Sequence, residues 1–446
     1  MQEAETASPL EALIDGAPIT PIQAVVVLLC TVVTLIEGID LNLIPLLAPA
    51  IAKAWSIPST AFGVIFAAGP IGLIAGGFGV GYVADRFGRR PALIGAMVLM
   101  TVSTLATSFA ANPGQLMILR VLTGIGFGGV IPAAAALVSE FLPTRTRASV
   151  VAFVCLGQAL GGLVASLLMK TSLALLGWQT IILYMGGVCG LGTVLLFAML
   201  PESPRYLMLR FPEAARTAAT LGRLKLKQIP PAPDAAARVR GRVRDLFTGG
   251  RALGTCLLWA TFIGICAPVS FFTSWLTLIY TYAGQPAANG VSAAAAYWAG
   301  GIVGGLLLPL LCAVWSVDLV LMAVVLGAAV SSAALGMVLG MSELFGLCAA
   351  FSCGVFISGA FYLMYPPAVR FYQTAIRSTG IGAAVAFGRI GNTISPLAAG
   401  LMLSAGLRPA TIFWCMALPL VISFAAMGAF HWLTQVRGKA AVPVPV

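Results

Sequence analysis

Four ionisable side chains stand inside long apolar runs. Glu37 and Asp40 lie in Thr34-Leu35-Ile36-Glu37-Gly38-Ile39-Asp40-Leu41-Asn42, Arg120 in the run 114–140, and Arg389 in Gly388-Arg389-Ile390-Gly391-Asn392. A charge at the centre of a bilayer costs at least roughly 2.5–3.5 kcal/mol, so such residues are functional candidates. Glu37 and Asp40 are three apart and share a helix face. Neighbouring carboxylates in a low-dielectric site repel, which favours protonating one of them and suits a proton carrier. Arg120 keeps its charge and can grip a carboxylate with two parallel bonds. It shares a face with Gly124 and Phe127, and Phe127 would give an aromatic wall. Arg389 shares a face with Asn392, and flanking glycines leave room for an anion. Gln158, on a face with Cys155 and Gly161, is an uncharged hydrogen-bonder that would line the same cavity. Each residue also has a structural reading, in which acids and guanidiniums pair only to hold the fold. The residue types alone leave both open.

The elements that must position these groups follow from composition. Hydrophobic residues make up 60% of the 446 and charged residues 9%, against about 25% charged in soluble domains. So much apolar surface needs lipid as its solvent. A bilayer core of roughly 30 Å takes about 20 apolar residues per helix. The chain offers runs at 22–47, 60–84, 91–110, 114–140, 148–170, 178–200, 253–280, 291–315, 317–340, 343–370, 378–402 and 409–433. The expected fold class is therefore all-α, with twelve transmembrane helices.

With Arg370 at a helix edge, twenty of the 25 Lys+Arg fall in alternate breaks or the C-terminal tail, whereas the other breaks hold only Lys53, Lys170 and Arg408. That is the positive-inside pattern, and it places both termini in the cytoplasm. The net charge of +11 thereby becomes topology and needs no nucleic-acid partner. The expected organisation is a cytoplasmic segment 1–21, a six-helix bundle 22–200, a basic linker 201–252, a second six-helix bundle 253–433 and a cytoplasmic tail 434–446. Residues 140–149 and 370–379, which lead into the fifth helix of each half, repeat Phe, Thr, Arg and Ser/Thr at equal spacing. A repeat-built transporter is expected to hold its site near the midplane between halves. The nine Cys lie in apolar runs without metal-type spacing, and His431 is the single His, at the end of the last helix. No metal cluster, Ser/His/Asp set or phosphate loop is present, so neither enzymatic chemistry nor a cofactor is expected.

Gly81-Tyr82-Val83-Ala84-Asp85-Arg86-Phe87-Gly88-Arg89-Arg90-Pro91, after the second helix, resembles the signature loop of the major facilitator superfamily. Further motifs resemble its aromatic acid:proton symporter branch. These are Glu37-Gly38-Ile39-Asp40-Leu41, Arg120 with Leu122-Thr123-Gly124-Ile125-Gly126, Ser139-Glu140 with Arg145 and Arg147, Leu200-Pro201-Glu202-Ser203-Pro204-Arg205, and Arg377-Ser378-Thr379-Gly380 through Gly391. The resemblance implies a major facilitator fold in a cell (inner or plasma) membrane, working as a monomer. The implied activity is proton-coupled uptake of a small aromatic carboxylate. Glu37 and Asp40 would couple protons, while Arg120, Arg389, Phe127, Gln158 and Asn392 would bind substrate. Asp85, Arg86, Arg89, Arg90, Glu140, Arg145, Arg147 and Arg377 would gate the cytoplasmic side, Glu140 through an ion pair across the short loop to Arg145 and Arg147. The rival is a proton-coupled carrier or exporter of another organic anion or a sugar-like solute. Two departures stand out. Ala313-Val314-Trp315-Ser316-Val317-Asp318, the counterpart of the signature loop, lacks its arginines. Ala133 stands where the branch often carries Asn.

Overall fold

The structure, a computed structural model, describes residues 9–172, 175–211, 214–226 and 243–440. The α-helices run in chain order as α1 Pro9–Gly16, α2 Pro21–Trp55, α3 Ser59–Phe87, α4 Arg89–Thr107, α5 Pro113–Phe141, α6 Thr144–Ser172, α7 Trp178–Met199, α8 Pro204–Arg210 and α9 Ala215–Arg223. They continue as α10 Ala252–Tyr282, α11 Ala287–Leu307, α12 Val317–Val338, α13 Glu343–Cys353, α14 Gly359–Leu363, α15 Tyr365–Phe371, α16 Thr374–Ser404 and α17 Pro409–Ala440. Among the described residues there is no strand. Among the described residues, eleven spans are long and apolar enough to cross a membrane, α13 to α15 forming one of them. The helix α16 is long enough to be the twelfth, but Arg377, Arg389 and Asn392 make it less apolar.

Lipid-facing chain must satisfy its backbone internally, which is why these runs are helices and why they tolerate internal Pro45, Pro49, Pro70, Pro132, Pro268, Pro396 and Pro419. Helix starts are marked in the usual chemistry. Asn112 accepts from Gln115 N at 2.9 Å with Pro113 at the first position, and Ser203 caps α8. The two repeated segments break at equivalent places: α5 ends at Phe141 and α6 starts at Thr144, while α15 ends at Phe371 and α16 starts at Thr374.

The chain forms two compact units, one of Met1–Leu41, Ile71–Gly161 and Gln179–Arg238, the other of Asn42–Pro70, Gly162–Trp178 and Val239–Val446. In the first, a Cβ at Gly72 would meet the Val121 carbonyl and one at Gly76 the Ile125 carbonyl, so α3 and α5 touch backbone to backbone. Also in the first, Leu10, Ile14, Met208 and Leu221 bury a small apolar cluster that joins α1 to α8 and α9. In the second, Trp298 Nε1 donates to Asn42 Oδ1 at 3.0 Å, the Phe66 and Trp275 rings meet edge to face at 5.2 Å, and Ser59 Oγ donates to Gly400 O at 3.4 Å. These contacts place residues 42–70 of the first sequence half in the same unit as α10, α11 and α16. The basic linker run Arg238, Arg240 and Arg242 lies outside the described residues.

Candidate functional site

The interior charges of the first unit are brought together. Glu37 is 1% exposed, Asp40 0% and Arg120 6%. Arg120, on α5, puts Nη1 4.0 Å from Asp40 Oδ2, on α2. A third helix, α4, supplies hydroxyls: Thr104 Oγ1 donates to Asp40 Oδ1 at 2.9 Å, and Arg120 Nη2 donates to Thr107 Oγ1 at 3.4 Å. Thr107 in turn donates to Ser103 O, and Thr123 of α5 donates to Ser103 Oγ at 3.0 Å. The pair is nevertheless only partly satisfied. Asp40 Oδ2 and Arg120 Nε have no hydrogen-bond partner among the described residues. A buried ion pair repays its desolvation only when geometry and hydrogen bonding are both good. Held at 4.0 Å with an oxygen unbonded, this pair falls short of that. A proton can take the carboxylate, and another carboxylate can take the guanidinium.

The close packing that fixes Asp40 comes from Gly38. A Cβ there would run into the Gln158 carbonyl, so α6 lies directly on α2 between the two acids. Gln158 is half-buried, and Phe127 is 4% exposed on the face of α5 that carries Arg120. Arg389 and Asn392 belong to the second unit and are half-buried on α16. Ser270 Oγ donates to the Asn392 carbonyl at 2.7 Å, and Asn392 Oδ1 is buried without a hydrogen-bond partner among the described residues.

The signature loop builds a charged knot at the ends of α3, α4, α5 and α7. Arg89 lies 3.4 Å from Asp85 and 3.3 Å from Glu140. Glu202 Oε1 accepts the backbone N–H groups of Arg89 at 2.9 Å, Arg90 at 3.2 Å and Ser203 at 2.8 Å, and Ser203 Oγ makes a short bond to Glu140. Gly88 has φ 109°, a left-handed turn in which a Cβ would strike the Glu202 carboxylate. Arg90 Nη2 donates to Phe197 O at 2.7 Å, and Arg86 Nη1 to Tyr82 Oη at 2.7 Å. Burial pushes the Glu202 carboxyl above its usual range despite the three N–H groups that favour its charge.

Glu140 thus pairs with Arg89 and not, among the described residues, with Arg145 or Arg147. The break at Leu142–Pro143 starts a new helix, and Arg147, one turn into it, is 3.3 Å from Glu11 of α1. Arg145 is exposed. Asp15 takes Thr144 N at 2.6 Å and Thr144 Oγ1 at 2.9 Å, and these bonds hold its carboxyl below the usual range. Here a carboxylate sits at the positive end of α6.

Sequence reading missed three features. The hydroxyls Ser103, Thr104 and Thr107 left one signal, a run of Thr and Ser through 101–108 in an otherwise apolar helix. The acidic α1 left charge but no clue to its partner. In the second unit, Asp318 is 2% exposed, 2.5 Å from Arg370 Nη2 and 3.1 Å from His431 Nδ1. The cation absent from that loop comes from the end of α15, and the single His is its second partner.

A multi-helix membrane chain with an incompletely paired acid and guanidinium in its interior has the make-up of a secondary transporter. The chain belongs to the major facilitator superfamily, whose model matches residues 30–369; it is a multi-pass transporter, not an enzyme. It is 31% identical over 440 residues to the 4-hydroxybenzoate transporter PcaK of Pseudomonas aeruginosa, covering 94% of each chain. It is 33% identical over 379 residues to the 3-(3-hydroxy-phenyl)propionate transporter of Escherichia coli, covering 85% of this chain and 86% of that one. In fold it matches the xylose transporter XylE of E. coli, with a TM-score of 0.73 at 17% identity over 92% of this chain and 97% of that one.

Proposed function

We propose that this protein carries a small aromatic carboxylate into the cell together with protons, by alternating access of two six-helix bundles, 22–200 and 253–433. Both termini and the linker 201–252 face the cytoplasm of a cell inner membrane, and the working unit is a monomer. The observation that carries the reading is the buried Asp40–Arg120 pair at 4.0 Å with an oxygen unbonded. The substrates in the relatives' names, all aromatic acids, agree with it.

The chemistry is a partner exchange. With Asp40 ionised, Arg120 is held by it and the site repels no cation and attracts no anion. A proton arriving at Asp40 cancels its charge, and Thr104 keeps the neutral carboxyl in place. Arg120, which always stays charged, then takes the substrate carboxylate in a bidentate grip. Phe127 and Gln158 of the same unit, and Arg389 and Asn392 of the other, are the further substrate-binding residues of this reading, and transport proceeds as the bundles rock. On the cytoplasmic side the proton and the acid leave, and the original pair re-forms. Glu37, on the same face as Asp40, is the second coupling carboxylate. The knot of Asp85, Arg86, Arg89, Arg90 and Glu140, with Arg145, Arg147 and Arg377, gates the cytoplasmic ends.

One proton per monoanion is electroneutral, and the pH gradient then supplies about 1.4 kcal/mol per unit. The test is uptake by vesicles with an alkaline interior, using labelled benzoates, hydroxybenzoates, phenylpropionates, non-aromatic acids and xylose. Aromatic acids are expected to accumulate about tenfold per pH unit and to lose that accumulation when a protonophore is added. Accumulation of xylose or non-aromatic acids alone, or accumulation indifferent to the pH gradient, would sink the proposal. Net movement outward under the same gradient would make the protein an exporter.

A further inference from the structure

A wide-open cavity of about 660 Å³ lies in the second unit, lined by Tyr362, Tyr365, Pro366, Val369, Arg370 and Arg377. Its volume falls within the roughly 300–1,000 Å³ typical of small-molecule sites. The first five lining residues recur at spacings of three and four through α14 and α15, so they share one helix face. Arg377 joins from the first turns of α16, across the break at Tyr372–Gln373. The lining therefore holds two phenol rings and two guanidiniums and no carboxylate.

Each of the two guanidiniums has an anchor. Arg370 gives Nη2 to Asp318 at 2.5 Å, but a guanidinium carries five N–H donors, so one such bond leaves capacity for a second anion. Arg377 Nε donates to Tyr372 O at 3.4 Å, which anchors its head at the cavity. Tyr365 is braced edge to face by Phe262 at 5.6 Å, and its ring is not loose. Aromatic rings beside guanidiniums match an aromatic acid in both of its parts, ring and carboxylate.

We propose that this cavity is a second binding site for the aromatic carboxylate, separate from Arg120 and placed at the cytoplasmic ends of α15 and α16. It rests on the aromatic-acid reading and the membrane orientation given above. Substrate leaving the interior is held here by Arg377 and Arg370 with its ring against Tyr362 and Tyr365, before it passes to the cytoplasm.

Sided kinetics test this directly, with 4-hydroxybenzoate as the probe in right-side-out and inside-out vesicles. Val369 is 41% exposed, so Val369→Trp fills the cavity without disturbing a packed interior and leaves both arginines in place. Tyr362→Leu removes one ring of the lining. Each is expected to raise the apparent KM at the cytoplasmic face by about tenfold, and to leave the KM at the opposite face within about twofold. If both variants leave the cytoplasmic KM unchanged, or raise it equally at both faces, there is no second site. If wild-type protein moves no aromatic acid in either orientation, the proposed function falls and this site falls with it.

Discussion

The two halves of the chain tie corresponding helix ends with the same seats and opposite signs. In the first half the helix end before the break supplies an acid, Glu140, and the signature loop supplies the cation, Arg89, at 3.3 Å. In the second half the equivalent helix position is Arg370, and the loop supplies the acid, Asp318, at 2.5 Å. Phe141 and Phe371 follow these residues at matching helix breaks. The second loop carries no arginine, yet its acid is paired, because the cation comes from the neighbouring helix. The second partners differ as well: the Ser203 hydroxyl for Glu140, the His431 ring for Asp318.

Charge reversal should break the comparison most visibly. Arg370→Glu sets a carboxylate against buried Asp318, and a stability loss on the order of 3–5 kcal/mol is expected in detergent thermal unfolding. Adding Asp318→Arg turns the second lock into the arrangement of the first and should recover most of that loss. A double variant no better than Arg370→Glu alone contradicts the equivalence of the two seats. A smaller effect sharpens the role of the second partners. Arg370→Gln and His431→Asn should each cost about 1–2 kcal/mol, and because both act on Asp318 their combination should depart from additivity by about 0.5–3 kcal/mol. Strict additivity would mean that His431 holds something other than Asp318.

The smallest effect is expected of Glu202→Gln. The Glu202 carboxyl sits above its usual range because it is buried, so its folded pKa exceeds its unfolded one. Its contribution is fully present below the unfolded pKa and is lost as pH rises through the folded value. Glu202→Gln keeps an oxygen for the N–H groups of Arg89, Arg90 and Ser203, and should change stability by less than about 0.5 kcal/mol at low pH while flattening that decline. Glu202→Leu strands those donors and should cost about 1–3 kcal/mol at every pH. Equal behaviour of the two variants would show that charge, not hydrogen bonding, is what Glu202 supplies.

Much of this was legible in the chain because lipid makes helices readable by length. Boundaries drifted where polarity misled. The first run, expected to end at 47, continues to Trp55 through Pro49 and Lys53, since a spanning helix tolerates both near its end. The last helix but one begins at Thr374, not 378, with Arg377 in its early turns. The stranded charges marked Asp40 and Arg120 as candidates, since no apolar run needs them. The partners of the charges at the helix ends could not be read, because pairing there is tertiary: Glu140 reaches back to Arg89 instead of forward to Arg147, and Arg147 finds Glu11. The hydroxyls of α4 escaped notice because a buried Ser or Thr ordinarily bonds its own helix, as Ser103 does to Leu99 O.

The most direct test of the account concerns Asp40. Asp40→Asn keeps the shape and an acceptor for Thr104 but removes the proton exchange that releases Arg120. In vesicles under an imposed pH gradient, this variant is predicted to exchange labelled aromatic acid for unlabelled acid across the membrane, yet to build no gradient of it. Accumulation by Asp40→Asn equal to wild type, about tenfold per pH unit, would contradict the account.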